Sequence, residues 1–526
     1  MAIAAQYAAS VARAVRVNAT NASVPMSLPQ RWWRRLEERL DLLSPHLNPL
    51  RHLGSIAMLM LWVLLASGVY LYAVIDTSVS GSYASIDRLS RDQWWLGGVL
   101  RSLHRYAADV LVLCTLLHLL REWVLGRFRG LRRVAWWTGT AMLPLLMVSA
   151  IGGFWLNWDQ LGQFSATATA EWLDWWPLFA TPLTRNFLGA SSISDRLFSL
   201  FVFVHLGVPL LMLFGCWFHV RKLALAAVWP PRILSGVMVS MLLLIALLAP
   251  VISHAPADLA RMPEVLAFDW VLLVVHPLVA ATSATTVWLS LLSVLALLLV
   301  LPFWPTSTPP AVAEVHPRHC SGCRRCVDDC PYDAITMTAH PQRPGYALAV
   351  VDATACASCG ICVGSCPSST PFRSMAQLVT GIDMPQQPID TLRRTLRERL
   401  QAMPPGNRWV VFGCDHGAAV RDLEADNVAT FSLICIGQLP PAFVEYALRD
   451  GADAVLISGC PASGCAFRLG QRWTEDRLAG VRDPKLRQTV PASRWTTVWA
   501  GAGELPQVAD ALHALQRRAA PEKIPR

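Results

Sequence analysis

Charge is scarce in this sequence. Asp, Glu, Lys and Arg make up 15% of its 526 residues, where a soluble domain carries about 25%. With 54% hydrophobic residues, that excludes a wholly soluble globule and a disordered chain. Acid is scarcer than base, 36 residues against 45, for a formal net charge of +9. The basic residues lack the aromatic interleaving of a nucleic-acid surface, so no nucleic-acid partner is expected. There is no Rossmann glycine fingerprint and no P-loop; Gly501-x-Gly503 stands alone. No CxxCH and no nucleophile–base arrangement occurs. Residues 1–30 have no continuous apolar core and read as a flexible arm, not a cleaved leader.

Cysteine is nearly absent from the first 319 residues, which hold two of the 14. Cys114 and Cys216 read as packing residues. The other 12 are crowded into the last two-fifths, eight of them in CxxC spacing that suits metal sites better than disulfides. The chain thus divides near residue 305 into an apolar half and a cysteine-rich half.

Six apolar segments are long enough for a bilayer core of about 30 Å: 53–74, 103–124, 134–156, 197–220, 233–252 and 285–304. The stretch 265–281 is broken by Asp269 and Pro277 and reads as a re-entrant or surface helix. The basic run RWWRRLEERL at 31–40 reads as an interfacial helix. Arg121, Arg127, Arg129, Arg132 and Arg133 fill one loop, and Arg221, Lys222 and Arg232 another. The alternate loops carry Asp76, Asp87, Asp92, Asp159, Glu171, Asp174 and Asp195. Basic loops stay in the cytoplasm, so the N-terminus and, after six crossings, the cysteine-rich half are expected there.

Four histidines lie inside these segments. His104 and His118 are fourteen apart, as are His205 and His219. Fourteen residues is nearly four helical turns, so each pair shares a face with roughly 21 Å between its members. Gly54 and Gly68, and Gly139 and Gly153, repeat the spacing. Two levels of histidine are what a stacked pair of bis-imidazole haems needs, with the glycines leaving room for a porphyrin. Arg101 and Arg121 lie three residues outside His104 and His118, within reach of propionates.

NPLRHLGS (48–55), RSLHRYAADVLVLCTLLHLLREW (101–123), LNWDQ (156–160) and HLGVPLLMLFGCWFH (205–219) resemble the cytochrome b family of quinol–cytochrome c oxidoreductases. The resemblance covers about 31–305. It implies two haems b, on His104/His205 at the periplasmic side and His118/His219 at the cytoplasmic side of a bacterial inner membrane. The family's Pro-Glu-Trp-Tyr loop is replaced by Phe268-Asp269-Trp270-Val271. Asp269, and Asp159 of the LNWDQ turn, are the candidate acids for quinone chemistry.

Cys320, Cys323, Cys326 and Cys330 precede Pro331, and Cys356, Cys359, Cys362 and Cys366 precede Pro367, an internal repeat at 36 residues. This resembles the two-cluster bacterial ferredoxins. It implies one 4Fe–4S cluster on Cys320, Cys323, Cys326 and Cys366, and one on Cys356, Cys359, Cys362 and Cys330.

Beyond a linker helix, RWVVFGC, ATFSLICIG and DAVLISGC alternate with helical stretches and read as a doubly wound α/β domain. Cys414, Cys435 and Cys460 each close a strand, with Cys465 five residues on. Sites in open α/β sheets form at the carboxyl ends of strands. Four thiols there suit a 2Fe–2S cluster or zinc. VVFGCDHGAAV and ICIGQLPPAFVEYALRDGADAVLISGCPASGC resemble the delta subunit of methyl-viologen-reducing hydrogenase. That implies a 2Fe–2S cluster and a heterodisulfide-reductase-like flavoprotein partner; where the family has CxxC this sequence has Cys414-Asp415-His416-Gly417, which makes His416 a candidate extra ligand.

The expected organisation is a multi-domain chain. It has an arm (1–30), a dihaem cytochrome b-like bundle (31–232), and two further helices with a periplasmic loop (233–305), making a six-helix transmembrane bundle. A ferredoxin-like domain with two 4Fe–4S clusters (312–375), a linker helix (376–406), a C-terminal α/β domain (407–518) and a tail (519–526) follow. The expected role is electron transfer between a soluble flavoprotein or dehydrogenase and quinone. The bilayer and a second copy of the chain are further expected partners. A quinol-oxidising feeder and a non-catalytic anchor or redox sensor are the rival readings.

Overall fold

The structure is a computed structural model. It describes residues 28–519 apart from 41–46, 130–131, 179, 188–192, 222–227, 262–264, 305–310, 354, 368–377, 462–464 and 502. The N-terminal arm up to residue 27, Lys222 and the tail from 520 lie outside the described residues. The chain forms two compact units, Trp32–Pro305 and Thr306–Arg526, the latter grouped with Met1–Arg31.

The first unit is helical: α1 (Leu28–Leu40), α2 (Leu53–Val74), α3 (Ser82–Arg91), α4 (Val99–Val124), α5 (Arg132–Asn157), α6 (Gln160–Leu173), α7 (Asp195–Arg221), α8 (Arg232–Leu248), α9 (Val275–Ala281) and α10 (Ala284–Val300). Each of the six apolar segments forms a helix, the fifth only as far as Leu248. Among the described residues, four spans are long and apolar enough to cross a membrane: Leu53–Val74, Arg132–Asn157, Asp195–Val220 and Ala284–Phe303. Helix α4 has the length but carries Arg101, Arg105, Asp109, Arg121 and Glu122, and α8 is shorter, at 17 residues. The bundle turns leucines, Phe203, Phe214 and Trp217 outward while Ser55, Ser67, Ser102 and Thr140 are buried. That polarity suits lipid, where helices associate through small and polar residues. Helix α2 packs along α4, and α5 along α7.

The stretch 265–281 forms only the seven-residue α9, after a turn that buries Leu272 and Leu273. Two connecting helices, α3 and α6, are short and were not legible as apolar runs. Asp159 caps α6 by accepting Gly162 N–H at 2.9 Å. Its corner is pinned to 254–258: His254 N–H donates to Asp159 at 2.9 Å, and Gln163 exchanges two hydrogen bonds with the Asp258 backbone.

The second unit begins with a repeat-built module: β1 (Glu314–Val315), α11 (Arg325–Asp329), β2 (Ile335–Ala339), β3 (Ala347–Val351), α12 (Ile361–Gly364) and β4 (Ile382–Asp383). Strands β2 and β3 form a hairpin. Strand β1 pairs with β4, Glu314 opposite Asp383, so the module runs past residue 375. Each cysteine triad leads into its short helix through two left-handed residues. They are Gly322 and Arg324 in the first copy, and Ser358 and Gly360 in the second.

Helix α13 (Ile389–Ala402), β5 (Trp409–Cys414), β6 (Val428–Leu433), α14 (Ala442–Arg449), β7 (Ala454–Gly459), α15 (Gly470–Leu478), β8 (Trp495–Trp499) and α16 (Leu505–Ala519) complete the unit. The sheet is parallel, in the order β6-β5-β7-β8. Strand alternation splits its core. Val410, Phe412, Val455 and Ile457 face α13 and α14, whereas Val411, Ala454 and Leu456 face Val508, Leu512 and Leu515 of α16. The doubly wound layout is therefore present, with an added strand, β8, that the sequence reading had not singled out.

Candidate metal centres

Each intramembrane histidine lies against a glycine of the neighbouring helix. A Cβ added at Gly54 would stand 3.2 Å from His118 Cε1, and one at Gly68 3.2 Å from His104 Cε1. On the other helix pair, the distances are 3.2 Å from Gly139 to His219 and 2.9 Å from Gly153 to His205. The fourteen-residue glycine spacing thus makes room for the imidazoles themselves.

Hydrogen bonds decide the tautomers. Ser67 Oγ donates its one proton to Val63 O at 2.7 Å, so at 2.9 Å from His104 Nδ1 it accepts. Thr138 Oγ1 donates to Val134 O at 3.0 Å and accepts from His219 Nδ1 at 3.0 Å. His205 Nδ1–H donates to Ser149 O at 2.9 Å. With Nδ1 protonated and tied, Nε2 keeps its lone pair for a metal.

The His104 and His205 ring centroids are 6.2 Å apart. Two metal–nitrogen bonds of about 2 Å, plus the ~1.1 Å from each nitrogen to its ring centre, give about 6.2 Å. The pair therefore fits one metal between its rings. A cavity of about 680 Å³ adjoins it, lined by Gly68, Gly153, Arg101 and Asn157 among others.

Arg101 donates to Ser90 Oγ at 2.6 Å, Ser253 Oγ at 2.9 Å and Asn157 Oδ1 at 3.1 Å. It presents a half-buried cation to that cavity. Arg121 instead donates to Glu37 at 2.8 Å, which also accepts from Trp33. Asp159 and Asp269 both line the cavity, and both are engaged. Asp159 accepts from Gly162, His254 and the Asn157 side chain. Asp269 pairs with Arg105 and caps the turn through Val271 N–H and Leu272 N–H. Arg105 also holds Asp109 at 2.7 Å. Ser67, Thr138 and Arg105 had escaped the sequence reading, because their roles depend on tertiary neighbours.

In the second unit, one small cavity is lined by Cys320, Cys323, Cys326 and Cys366, and the other by Cys330, Cys356, Cys359 and Cys362. Each gathers three thiols from one copy of the repeat and the fourth from the other. Backbone N–H groups of Gly381 and Ala334 donate to Cys366 and Cys330 at 3.3 and 3.4 Å. Burial pushes the Cys326 and Cys359 thiols up to about 12. Metal binding at these sites must therefore release protons.

The strand order places the topological switch point between β5 and β7, where such sheets bind ligands. Cys414 and Cys460 close those strands with their sulfurs 3.8 Å apart. Cys435 sits beside Cys414, and Cys465 beside Cys460. Hydrogen bonding to Cys435 and Cys460 holds Cys414 well below the usual thiol range. That from Cys460 brings Cys465 down to about 6. The same hydrogen bonds and burial push Cys435 and Cys460 up, so Cys414 and Cys465 are the two in the thiolate form that ligates metals, and the other two would give up protons to a metal centre. A Cβ at Gly470 would meet Cys435 Sγ at 2.1 Å, so Gly470 makes space for the thiol. His416 is exposed and packs edge-on against Phe467. Among the described residues, no three His, Cys, Asp or Glu side chains are grouped as for a single metal ion.

Residues 40–226 match the family model for cytochrome b/b6/petB. Residues 319–370 match that for the 4Fe-4S dicluster domain, and 411–520 that for the delta subunit of methyl-viologen-reducing hydrogenase. A chain of a solved hyperthermophilic respiratory complex III is similar at 18% identity, over 48% of this chain and 75% of its own, with a TM-score of 0.41. The chain thus joins a cytochrome b-like helical region to a 4Fe–4S domain and a hydrogenase delta-subunit-like domain.

Proposed function

We propose that this chain is a membrane electron-transfer subunit that carries electrons from a soluble flavoprotein or dehydrogenase to the quinone pool. The observation that carries the reading is the His104–His205 pair, 6.2 Å apart with Nδ1 of each ring tied, in one chain with two four-cysteine cavities. Haem b and iron–sulfur clusters, when bound, supply the one-electron chemistry.

His104 and His205 would hold one haem, and His118 and His219 the second. The two crossed cysteine sets would hold 4Fe–4S clusters, and Cys414, Cys435, Cys460 and Cys465 a 2Fe–2S cluster. Arg101 offers a half-buried guanidinium for a propionate. Quinone would bind in the part of the cavity near Asp269 and Phe268. All six apolar helices would span a bacterial inner membrane, with the basic loops and the cysteine-rich half in the cytoplasm. A flavoprotein resembling that of heterodisulfide reductase is the first partner to test. A donor cluster at the low end of the roughly −700 to +450 mV that iron–sulfur clusters span makes the run toward quinone the downhill one.

The test is reduction of a quinone analogue by the purified full-length protein with a low-potential soluble donor. The reading expects turnover that is lost in His205→Ala. Equal turnover in that variant, or reduction of the haems by quinol and never by soluble donors, would overturn it.

A further inference from the structure

The two ferredoxin-type cysteine sets are near copies in sequence, yet the fold treats them differently. Cys359 and Ile361 of the second copy share one hydrophobic cluster with Cys435 of the C-terminal thiol site, closed by Tyr332, Phe467 and Trp473. The two segments approach closely at their glycines. A Cβ at Gly364 would lie 2.1 Å from Gly437 O, and one at Gly437 would lie 3.0 Å from Ile361 Cγ1. Gly360 is as tightly met by Gln438, at 3.0 Å.

Arg477 locks the junction from inside. It is fully buried and donates to Gly437 O at 2.8 Å, Ile361 O at 3.3 Å and Asp329 Oδ2 at 2.5 Å. Trp473 Nε1 adds a bond to Asp329 O at 3.2 Å. Cys326 and Cys366 of the first cavity belong, with Cys362, Cys414 and Cys460, to the large core of this unit, but none of Cys320, Cys323 and Cys326 is in the small cluster around Cys435; Met337, Ala349, Gly381 and Ile382 line their cavity.

We infer that the set Cys330, Cys356, Cys359 and Cys362 is the one that exchanges electrons directly with the Cys414/Cys435/Cys460/Cys465 site. The set Cys320, Cys323, Cys326 and Cys366 is then the outer end of the relay. Gly364, Gly437 and Arg477 are positioning residues that hold the two sites together. The step moves one electron: the C-terminal site is oxidised by one and the neighbouring cysteine set's cluster reduced by one, with no bond made or broken. This rests on the reading of these thiols as cluster ligands. A tight junction favours transfer through it, because fixed geometry removes the cost of bringing the two centres together.

The experiment is electron paramagnetic resonance of the full-length, iron-replete protein, reduced by dithionite. The C-terminal centre's signal is expected to be split by magnetic interaction with a reduced cubane. The splitting should persist in Cys323→Ser and be lost in Cys359→Ser. Gly364→Ala keeps every ligand and should narrow the splitting, which covers a Cys359→Ser protein that fails to assemble. Loss in Cys323→Ser with persistence in Cys359→Ser, or an unchanged splitting in Gly364→Ala, would overturn the inference. Absence of any C-terminal centre would overturn the cluster reading itself, which is a separate outcome.

Discussion

Ser67 Oγ lies 2.9 Å from His104 Nδ1 while its proton is committed to Val63 O at 2.7 Å. The serine is therefore an acceptor, and it makes the imidazole a stronger donor through Nε2. Ser67→Ala should take one of two acceptors from that ring's N–H, leaving it the Leu64 backbone, and weaken its support of the oxidised iron. The loss of one hydrogen bond is about 1 kcal/mol, or on the order of 40 mV for a one-electron couple. The expected outcome is a higher midpoint potential for one haem only, read by redox titration of the α-band. Thr138→Val should do the same at the other level.

The glycines that face the histidines predict a second set of effects. Gly153→Ala would bring a Cβ to 2.9 Å of His205 Cε1, on a helix packed against the one that carries the ring. Haem content by pyridine haemochrome should fall, and Gly153→Val should lose the haem at that level. Gly236→Ala, where a Cβ meets nothing within 4 Å, is the control and should keep both.

Arg477 and Asp329 are 0% and 4% exposed at their side chains and 2.5 Å apart. Removing one partner of a buried pair commonly costs about 3–5 kcal/mol. Arg482, also 2.5 Å from Asp329, should soften the loss to roughly 2–3 kcal/mol in Arg477→Met. The measurement is the temperature at which the iron–sulfur absorbance bleaches, expected to drop well below that of the wild type. An unchanged temperature would remove the pair from the account of that junction.

Burial pushes the Asp383 carboxyl up to about 6, although Met384 N–H and Ile389 N–H donate to it and pull the other way. Its unfolded value is about 4, so the folded unit binds the proton more tightly. The resulting stability is fully present below about pH 4 and lost as pH rises through about 6, on the order of 2 kcal/mol in all. Between pH 5 and 7 the bleaching temperature should therefore fall more steeply in the wild type than in Asp383→Asn. Parallel slopes would contradict this.

What could be read from the sequence was whatever is local. Ligand identity and spacing are local, so the four histidines, their glycines and both cysteine repeats stood out before any fold was known. The strand-end cysteines were legible for the same reason, since β5, β6 and β7 are short apolar runs. Ser67, Thr138 and Ser149 O were not, because each is defined by the helix packed beside it. Arg477 and Asp329 are 148 residues apart, and nothing near either marks the other. The acids show the converse. Asp159 and Asp269 stand out as candidate acids for quinone chemistry, and the fold also uses Asp159 as a helix cap and pairs Asp269 with Arg105. Helices α3 and α6 were missed because their small and polar residues give no long apolar run.

The central claim is that electrons entering the cysteine-rich half reach quinone by way of the histidine-bound haems. Stopped-flow spectroscopy of the full-length protein with a low-potential soluble donor tests it most directly. The account predicts bleaching of the broad iron–sulfur absorbance first, then a rise of the b-haem α-band, then reoxidation of that band when a quinone analogue is added. Haem reduction that precedes the bleaching, or that proceeds unchanged when the cysteine repeats are disrupted by Cys323→Ser and Cys359→Ser together, would contradict it.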